Sequence, residues 1–209
     1  MTGAARQLPM FPLQSVLFPR AALPLQVFEP RFLKMIDDVL AGDRRFGVVL
    51  ITRGSEVGGG EERATIGTIA RVVRVGALDD GRLTMVALGE SRIEVIDWLP
   101  DSPYPQATVV DRDPDSAGPA TAALVDRARR AYRRTLAIAS ELGGSTGDPE
   151  PDLPGDEVAA SWYLCEAAPL EQYDRQRLLE IDEVDRRLEA LVAGLDDKSD
   201  LLRARLARG

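Results

Sequence analysis

From Leu8 to Phe32 the chain reads LPMFPLQSVLFPRAALPLQVFEPRF, which sets Pro9, Pro12, Pro19, Pro24 and Pro30 among leucine, valine and phenylalanine. Proline locks φ and donates no backbone hydrogen bond, so it is confined to strand ends, edges and bulges rather than a central ladder. The apolar residues between these prolines therefore read as two short strands, near Pro9–Leu13 and Leu23–Phe28, joined by a bent crossover. After Pro30 the period changes: Phe32, Leu33, Ile36, Val39 and Leu40 fall at helical spacing. Pro30 suits the first helical position and Gly42 the stop just past the last turn.

The β pattern continues. Phe46–Thr52, FGVVLIT, is a continuous apolar run flanked by charge, as in a buried strand. The Gly- and Glu-rich stretch Arg53–Ala64 reads as an exposed loop. Ile66–Val75 is rich in β-branched residues and Arg82–Leu88 alternates, with Asp80-Gly81 between them as a hairpin turn. Gly89-Glu90-Ser91 is expected to break the chain before another strand at Arg92–Trp98, and Tyr104–Val110 is the last. Six or seven short strands and one small helix predict a compact, partly closed β-barrel over residues 1–115.

Asp111–Gly118, DRDPDSAG, marks exposed backbone and a boundary. Beyond it, over residues 116–209, the pattern is helical, and the fold class is α+β. Leu124, Val125, Ala128, Tyr132, Leu136 and Ala139 describe a helix ending at Gly143-Gly144, and Gly143–Gly155 is a polar connector. A second helix spans Asp156–Ala167 with Val158, Trp162 and Cys165 on one stripe. A third follows Pro169 with Tyr173, Leu178 and Leu179. Asp182 caps a fourth, whose apolar face is Leu188, Leu191, Val192 and Leu195.

Composition excludes several chemistries. The 209 residues contain no histidine, which removes the commonest general base and metal ligand and every Ser-His or Cys-His arrangement. The lone Cys165 can form no internal disulfide, as expected of a reducing, cytoplasmic compartment. No apolar run is long enough to cross a bilayer, and MTGAARQLPMF lacks the apolar stretch of a secretory signal. The net charge is −8, with 13 basic and 16 acidic residues in 1–115 and 13 and 18 in 116–209. That balance argues against nucleic acid as a partner. The acid-rich loops around Gly58–Gly60 and over Asp148–Asp156 lack the alternate-position ligands of a calcium site. No metal and no cofactor are expected.

Taken in order, several segments resemble the N-terminal, substrate-binding domain of the Lon protease family. They are Phe11-Pro12-Leu13, Phe18-Pro19 through Leu23-Pro24-Leu25-Gln26-Val27-Phe28-Glu29-Pro30-Arg31, Ile66-Gly67-Thr68-Ile69-Ala70, Asp80-Gly81-Arg82 and Gly89-Glu90-Ser91-Arg92. Arg175-Gln176-Arg177-Leu178-Leu179-Glu180 and Arg186-Arg187-Leu188 continue the likeness, which runs from Leu8 to Leu195. The resemblance implies a PUA-like β-barrel followed by a helical bundle, and a role in holding unfolded or tagged polypeptide. The chain carries no GxxxxGK[ST] phosphate loop, so neither ATPase nor protease activity is expected of it. The expectation is a free-standing, non-enzymatic recognition module, an adaptor or regulator in protein quality control. A Lon protease or further copies of the chain would be its partners. PUA-like barrels also include RNA binders, and that is the alternative function.

Within this frame Phe11, Phe18, Phe28 and Phe32 are the candidates for gripping apolar client side chains, with Arg31 and Arg92 as polar contacts. Each has a structural counterpart: large aromatics usually fill cores, and Arg92 beside a glycine turn suits an ion pair. Glu29 and Arg31 sit at the entrance of the first helix, where an acid gains from the helix dipole. On the Arg127–Arg134 segment, Arg127, Arg130 and Arg134 share a helical face without interleaved aromatics, which suits pairing with nearby carboxylates better than stacking on bases. Cys165 shares the stripe of Trp162 and reads as a buried small hydrophobe.

Overall fold

The computed structural model describes residues 4–53, 62–113, 115–144 and 147–208. The chain divides into two compact units, Met1–Pro114 and Asp115–Gly209. The first holds β1 (Arg6–Leu13), β2 (Ala22–Val27), α1 (Pro30–Ala41), β3 (Arg45–Arg53), β4 (Glu62–Ala77), β5 (Leu83–Leu99) and β6 (Gln106–Asp111). The second holds α2 (Thr121–Glu141), α3 (Glu157–Ala167), α4 (Gln172–Glu180) and α5 (Val184–Leu206). This is an α+β chain. Of the stretch expected to loop, residues 54–61 lie outside the described residues, while Arg53 belongs to β3 and Glu62–Ala64 to β4.

The strands lie in the order β2-β5-β4-β3-β1-β6, and β5 also pairs with β6. Five strands therefore close into a ring, and β2 flanks β5 outside it. β1 and β3 run parallel, with Met10 opposite Gly47 and Leu13 opposite Leu50. Closure depends on β5 serving two neighbours: Leu83–Leu88 pair with β2, whereas Ile93–Leu99 pair with β6. Gly89-Glu90-Ser91, expected to end a strand, instead lies within this single strand. The register with β4 steps from Ala70↔Gly89 to Thr68↔Arg92, so β5 carries an extra residue there. Such a bulge bends and twists its strand without ending it, which lets one strand turn from β2 to β6.

Gly89 is required at that bend. A Cβ there would lie 2.2 Å from the Phe18 carbonyl oxygen, because the Phe18–Ala21 turn docks on it. The Arg20 N–H donates to the Gly89 carbonyl at 2.7 Å, and the Gly89 N–H donates to Ala21 at 2.9 Å. Glu90 then gathers Arg45 and Arg71, each donating Nε–H at 2.6 Å. Burial pushes the Glu90 carboxyl up, but these two guanidinium hydrogen bonds outweigh it and hold the group below its ordinary range. The ring interior is filled by Leu8, Met10, Val49, Ile69, Ile93, Val95, Ala107 and Val109.

The helix after Pro30 forms as the spacing predicts, with Pro30 in its first turn and Gly42 as C-cap. Its buried stripe is Phe32, Met35, Ile36 and Val39, at i, i+3, i+4 and i+7. Leu33 and Leu40, expected on that stripe, are only half-buried.

In the second unit α3 starts at the Asp156 cap, whose side chain accepts from the Ala159 N–H at 2.7 Å. α5 starts one residue later than expected, with Glu183 rather than Asp182 as N-cap. Leu188, Leu191, Val192 and Leu195 are buried along it. A polar seam joins α2 to α5: Thr135 Oγ1 lies 3.1 Å from the Leu195 carbonyl and 2.9 Å from Ser199 Oγ. At the heart of this unit is Arg187, whose side chain is fully buried. Its guanidinium carbon lies 3.5 Å from the centroid of the Trp162 ring. It donates to Asp115 Oδ1 and the Ile181 carbonyl at 3.1 Å, and to Ser161 Oγ at 3.2 Å. Trp162 Nε1–H donates to the other Asp115 oxygen at 2.9 Å. The first residue of this unit thus neutralises its buried cation.

Two outcomes follow for stability, both measured by urea unfolding followed by circular dichroism. Gly89→Ala is expected to cost about 3 kcal/mol through its clash with the Phe18 backbone. Gly81→Ala, at φ 84° but in open space, should cost about 1 kcal/mol; equal losses would contradict the close approach. Asp115→Ala, which strands the Arg187 cation in the interior, should cost about 3–5 kcal/mol. The Asp115→Ala, Arg187→Leu double variant should lose less than the two single changes summed, and strict additivity would exclude the pairing.

Candidate functional site

The six residues singled out from sequence have different fates. β1 lies between β3 and β6, with ring interior on one face and α1 on the other, so its side chains have little access to water. Phe11 is accordingly 7% exposed and stacks on Phe32 of α1, 4% exposed, with ring centroids 4.2 Å apart. Phe46 closes the group at 6.2 Å from Phe11. Phe18 is fully buried in the turn against Gly89, and Arg92 is buried within β5. These four side chains belong to the core. Phe28 differs, being 59% exposed immediately after β2.

Phe28 leads into the start of α1. Glu29 is the N-cap, and its carbonyl accepts the N–H groups of Phe32 and Leu33 at 3.0 and 2.9 Å. Its carboxylate makes no cap bond and accepts instead from Arg31 Nε–H at 3.0 Å. The Arg31 guanidinium lies 4.6 Å from the Phe32 ring centroid, so this arginine is partly engaged in holding the helix entrance.

Phe28 directly follows β2 in the chain, and the part of the sheet that continues past the ring, β2 included, carries a concavity of about 370 Å³. Pro24 and Leu25 of β2, Val75 of β4, and Met85 and Val86 of β5 supply its apolar lining, and Gln26, Arg74 and Thr84 its polar groups. Two sequence facts build it. Gly76, opposite Thr84, has no side chain to fill the space. Val73 is the extra residue of a second bulge, between Val72↔Ala87 and Arg74↔Val86, so the alternation of β4 shifts phase and sets Val75 opposite Met85. Strict alternation, as used on the sequence, could not locate this surface. The signal that could have was Pro24, since proline inside a strand marks an edge.

A second concavity, of about 410 Å³, lies on the helical unit. Leu170, Leu178, Ile181, Ala190, Gly194 and Leu201 form its floor, and Lys198 Nζ bonds Glu171 at 3.1 Å on its rim. Of the three arginines expected to share a face of α2, Arg134 bonds Asp196; Arg133 and Arg129, on a different face, meet Glu150. Cys165 is fully buried, and burial pushes its thiol up to about 12, so it stays protonated and inert at neutral pH. Among the described residues there is no cluster of His, Cys, Asp and Glu able to hold a metal ion, and no helix long and apolar enough to cross a membrane.

A closed small barrel followed by helices agrees with the comparisons. The chain is 30% identical over 203 residues to Lon protease 2 of Herpetosiphon aurantiacus, covering 94% of this chain and 24% of that one. It is 27% identical over 202 residues to the Lon protease of Roseiflexus castenholzii, covering 93% and 24%. The chain thus spans about a quarter of the length of these relatives. Among solved structures, a Lon N-terminal domain protein from Xanthomonas campestris superposes with a TM-score of 0.66 at 29% identity, covering 90% of this chain and 98% of that one. The N-terminal domain of a Mycobacterium avium complex Lon protease shares the fold, with a TM-score of 0.64 at 18% identity and coverage of 92% and 99%. Residues 7–197, nearly the whole chain, match the substrate-binding domain of the ATP-dependent protease La (LON), and the chain belongs to that family.

Proposed function

We propose that this chain is a non-catalytic module that captures non-native polypeptide, and that Phe28 and the adjoining concavity on β2, β4 and β5 form its client surface. The exposure of Phe28, two residues beyond Gln26 of the hollow's lining, carries the reading, within a family defined by substrate binding. Its cellular role is that of an adaptor or regulator in protein quality control, presenting clients to a Lon protease or withholding them. The reading needs no hydrolytic step, in keeping with a chain that has no histidine and a buried, protonated thiol.

Magnitudes define how such a module works. An apolar patch of about 300 Å² gains about 7 kcal/mol gross, while association costs about 4–15 kcal/mol. One copy therefore holds a client weakly. Several copies side by side, or one copy with a partner that also grips the client, convert weak contacts into retention through effective concentration.

The test is capture of a reduced, carboxymethylated protein that cannot refold, against the same protein in its native form. The unfolded form is expected to bind weakly and the native form to be ignored; equal retention of both overturns the proposal. Phe28→Asp should weaken capture about tenfold or more with little change in the unfolding temperature, since the residue is 59% exposed. Joining several copies on one scaffold should tighten capture about a hundredfold or more. Raising salt should leave capture intact, whereas a steep loss would show that charge rather than apolar contact holds the client.

A further inference from the structure

We infer that the client is held as an added β-strand on the free edge of β2. The inference rests on the reading above that this surface holds polypeptide, and specifies how. β2 pairs with β5 on one side only, and among the described residues no strand is paired with its other side. The direction of its backbone groups follows from the register. The Ala21 carbonyl accepts from Gly89 of β5 at 2.9 Å, so alternate residues from Ala21 onward, namely Leu23, Leu25 and Val27, face β5. Ala22, Pro24 and Gln26 therefore face away from it. Pro24 agrees with that parity, since a residue without an N–H costs the ladder nothing on its outer side. The carbonyls of Ala22, Pro24 and Gln26, with the N–H groups of Ala22 and Gln26, form an open row of acceptors and donors.

The complement of such a row is another extended backbone, bonded irrespective of its sequence. That suits a module whose clients share unfolded backbone rather than a motif. Beside the row, the hollow lined by Pro24, Leu25, Val75 and Met85 takes apolar side chains, which an extended segment projects at every second residue. A hidden segment of a native protein can offer neither its backbone nor its core side chains, so discrimination follows from chemistry.

The occupant is a client rather than a second copy of this chain. Two β2 edges paired antiparallel in full overlap would bring one Pro24 against the other, and neither could donate across that pair. A client with an ordinary residue opposite Pro24 loses only one bond there. The net charge of −8 on every copy further opposes self-pairing.

The probe is a short synthetic peptide alternating phenylalanine and threonine between terminal arginines. Gln26→Pro removes an N–H from the free edge alone, and Gln26→Ala removes the side chain but keeps that N–H. With both variants folded by circular dichroism, Gln26→Ala is expected to bind the peptide like the unaltered chain and Gln26→Pro about tenfold more weakly. Full binding by Gln26→Pro overturns strand addition while leaving capture by the apolar hollow standing; no binding by the unaltered chain overturns both. Amide hydrogen exchange on the unaltered chain gives an independent readout. The peptide should slow exchange at Ala22 and Gln26, and unchanged exchange in a bound complex overturns the inference. So does slowing that appears without peptide as protein concentration rises, because a second copy would then occupy the edge.

Discussion

The barrel unit depends on one close approach, that of the Phe18 carbonyl to Gly89. A side chain at position 89 would exclude it, and without it the turn before β2 would lose its seat on β5. The bulge that follows lets a single strand leave β2 and join β6, so the same few residues close the ring and leave a flanking sheet outside it. Glu90, held ionised by Arg45 and Arg71, ties β5 to β3 and β4 at this bend. Fold closure and the open edge of β2 thus have a common cause. The region that bends β5 away from the ring is also what gives β2 a place to hang and a second edge to expose.

The helical unit is organised around a different constraint, a fully buried guanidinium. Its desolvation is offset by Asp115, by backbone and hydroxyl acceptors, and by the face of Trp162. Such a site is intolerant of losing one partner, which makes Asp115 a structural residue rather than a spacer at the boundary. The arginines on the surface of α2 behave differently, meeting carboxylates in water where pairs contribute little. Guanidinium groups on two helices of this unit, α2 and α5, therefore play unequal parts, and burial distinguishes them.

Much of the architecture was legible in order along the chain. Pro30 and Gly42 bracket α1, the apolar FGVVLIT run is β3, Asp80-Gly81 turns between β4 and β5, and Asp156 caps α3. These signals are local: a φ restriction, a cap or a turn acts within a few residues, so sequence carries it directly. The Gly89-Glu90-Ser91 step was legible as an irregularity but not as a bulge, because a bulge is defined by the strand opposite. The candidate site was less legible still. Four of its six residues proved to be core, and Phe28 could not be told from Phe11 or Phe32 by residue type.

The sequence by itself determined the kind and order of most elements, the absence of histidine chemistry, and the likeness to a recognition domain, since all three reside in residue identity and spacing. Tertiary structure alone decided which phenylalanine meets water, which arginine is entombed, and which strand keeps an open edge. Exposure is a property of what packs against a residue. For β1 that is α1 and the ring interior, for Phe28 it is mostly solvent, and for β2, among the described residues, it is β5 on one side and no strand on the other.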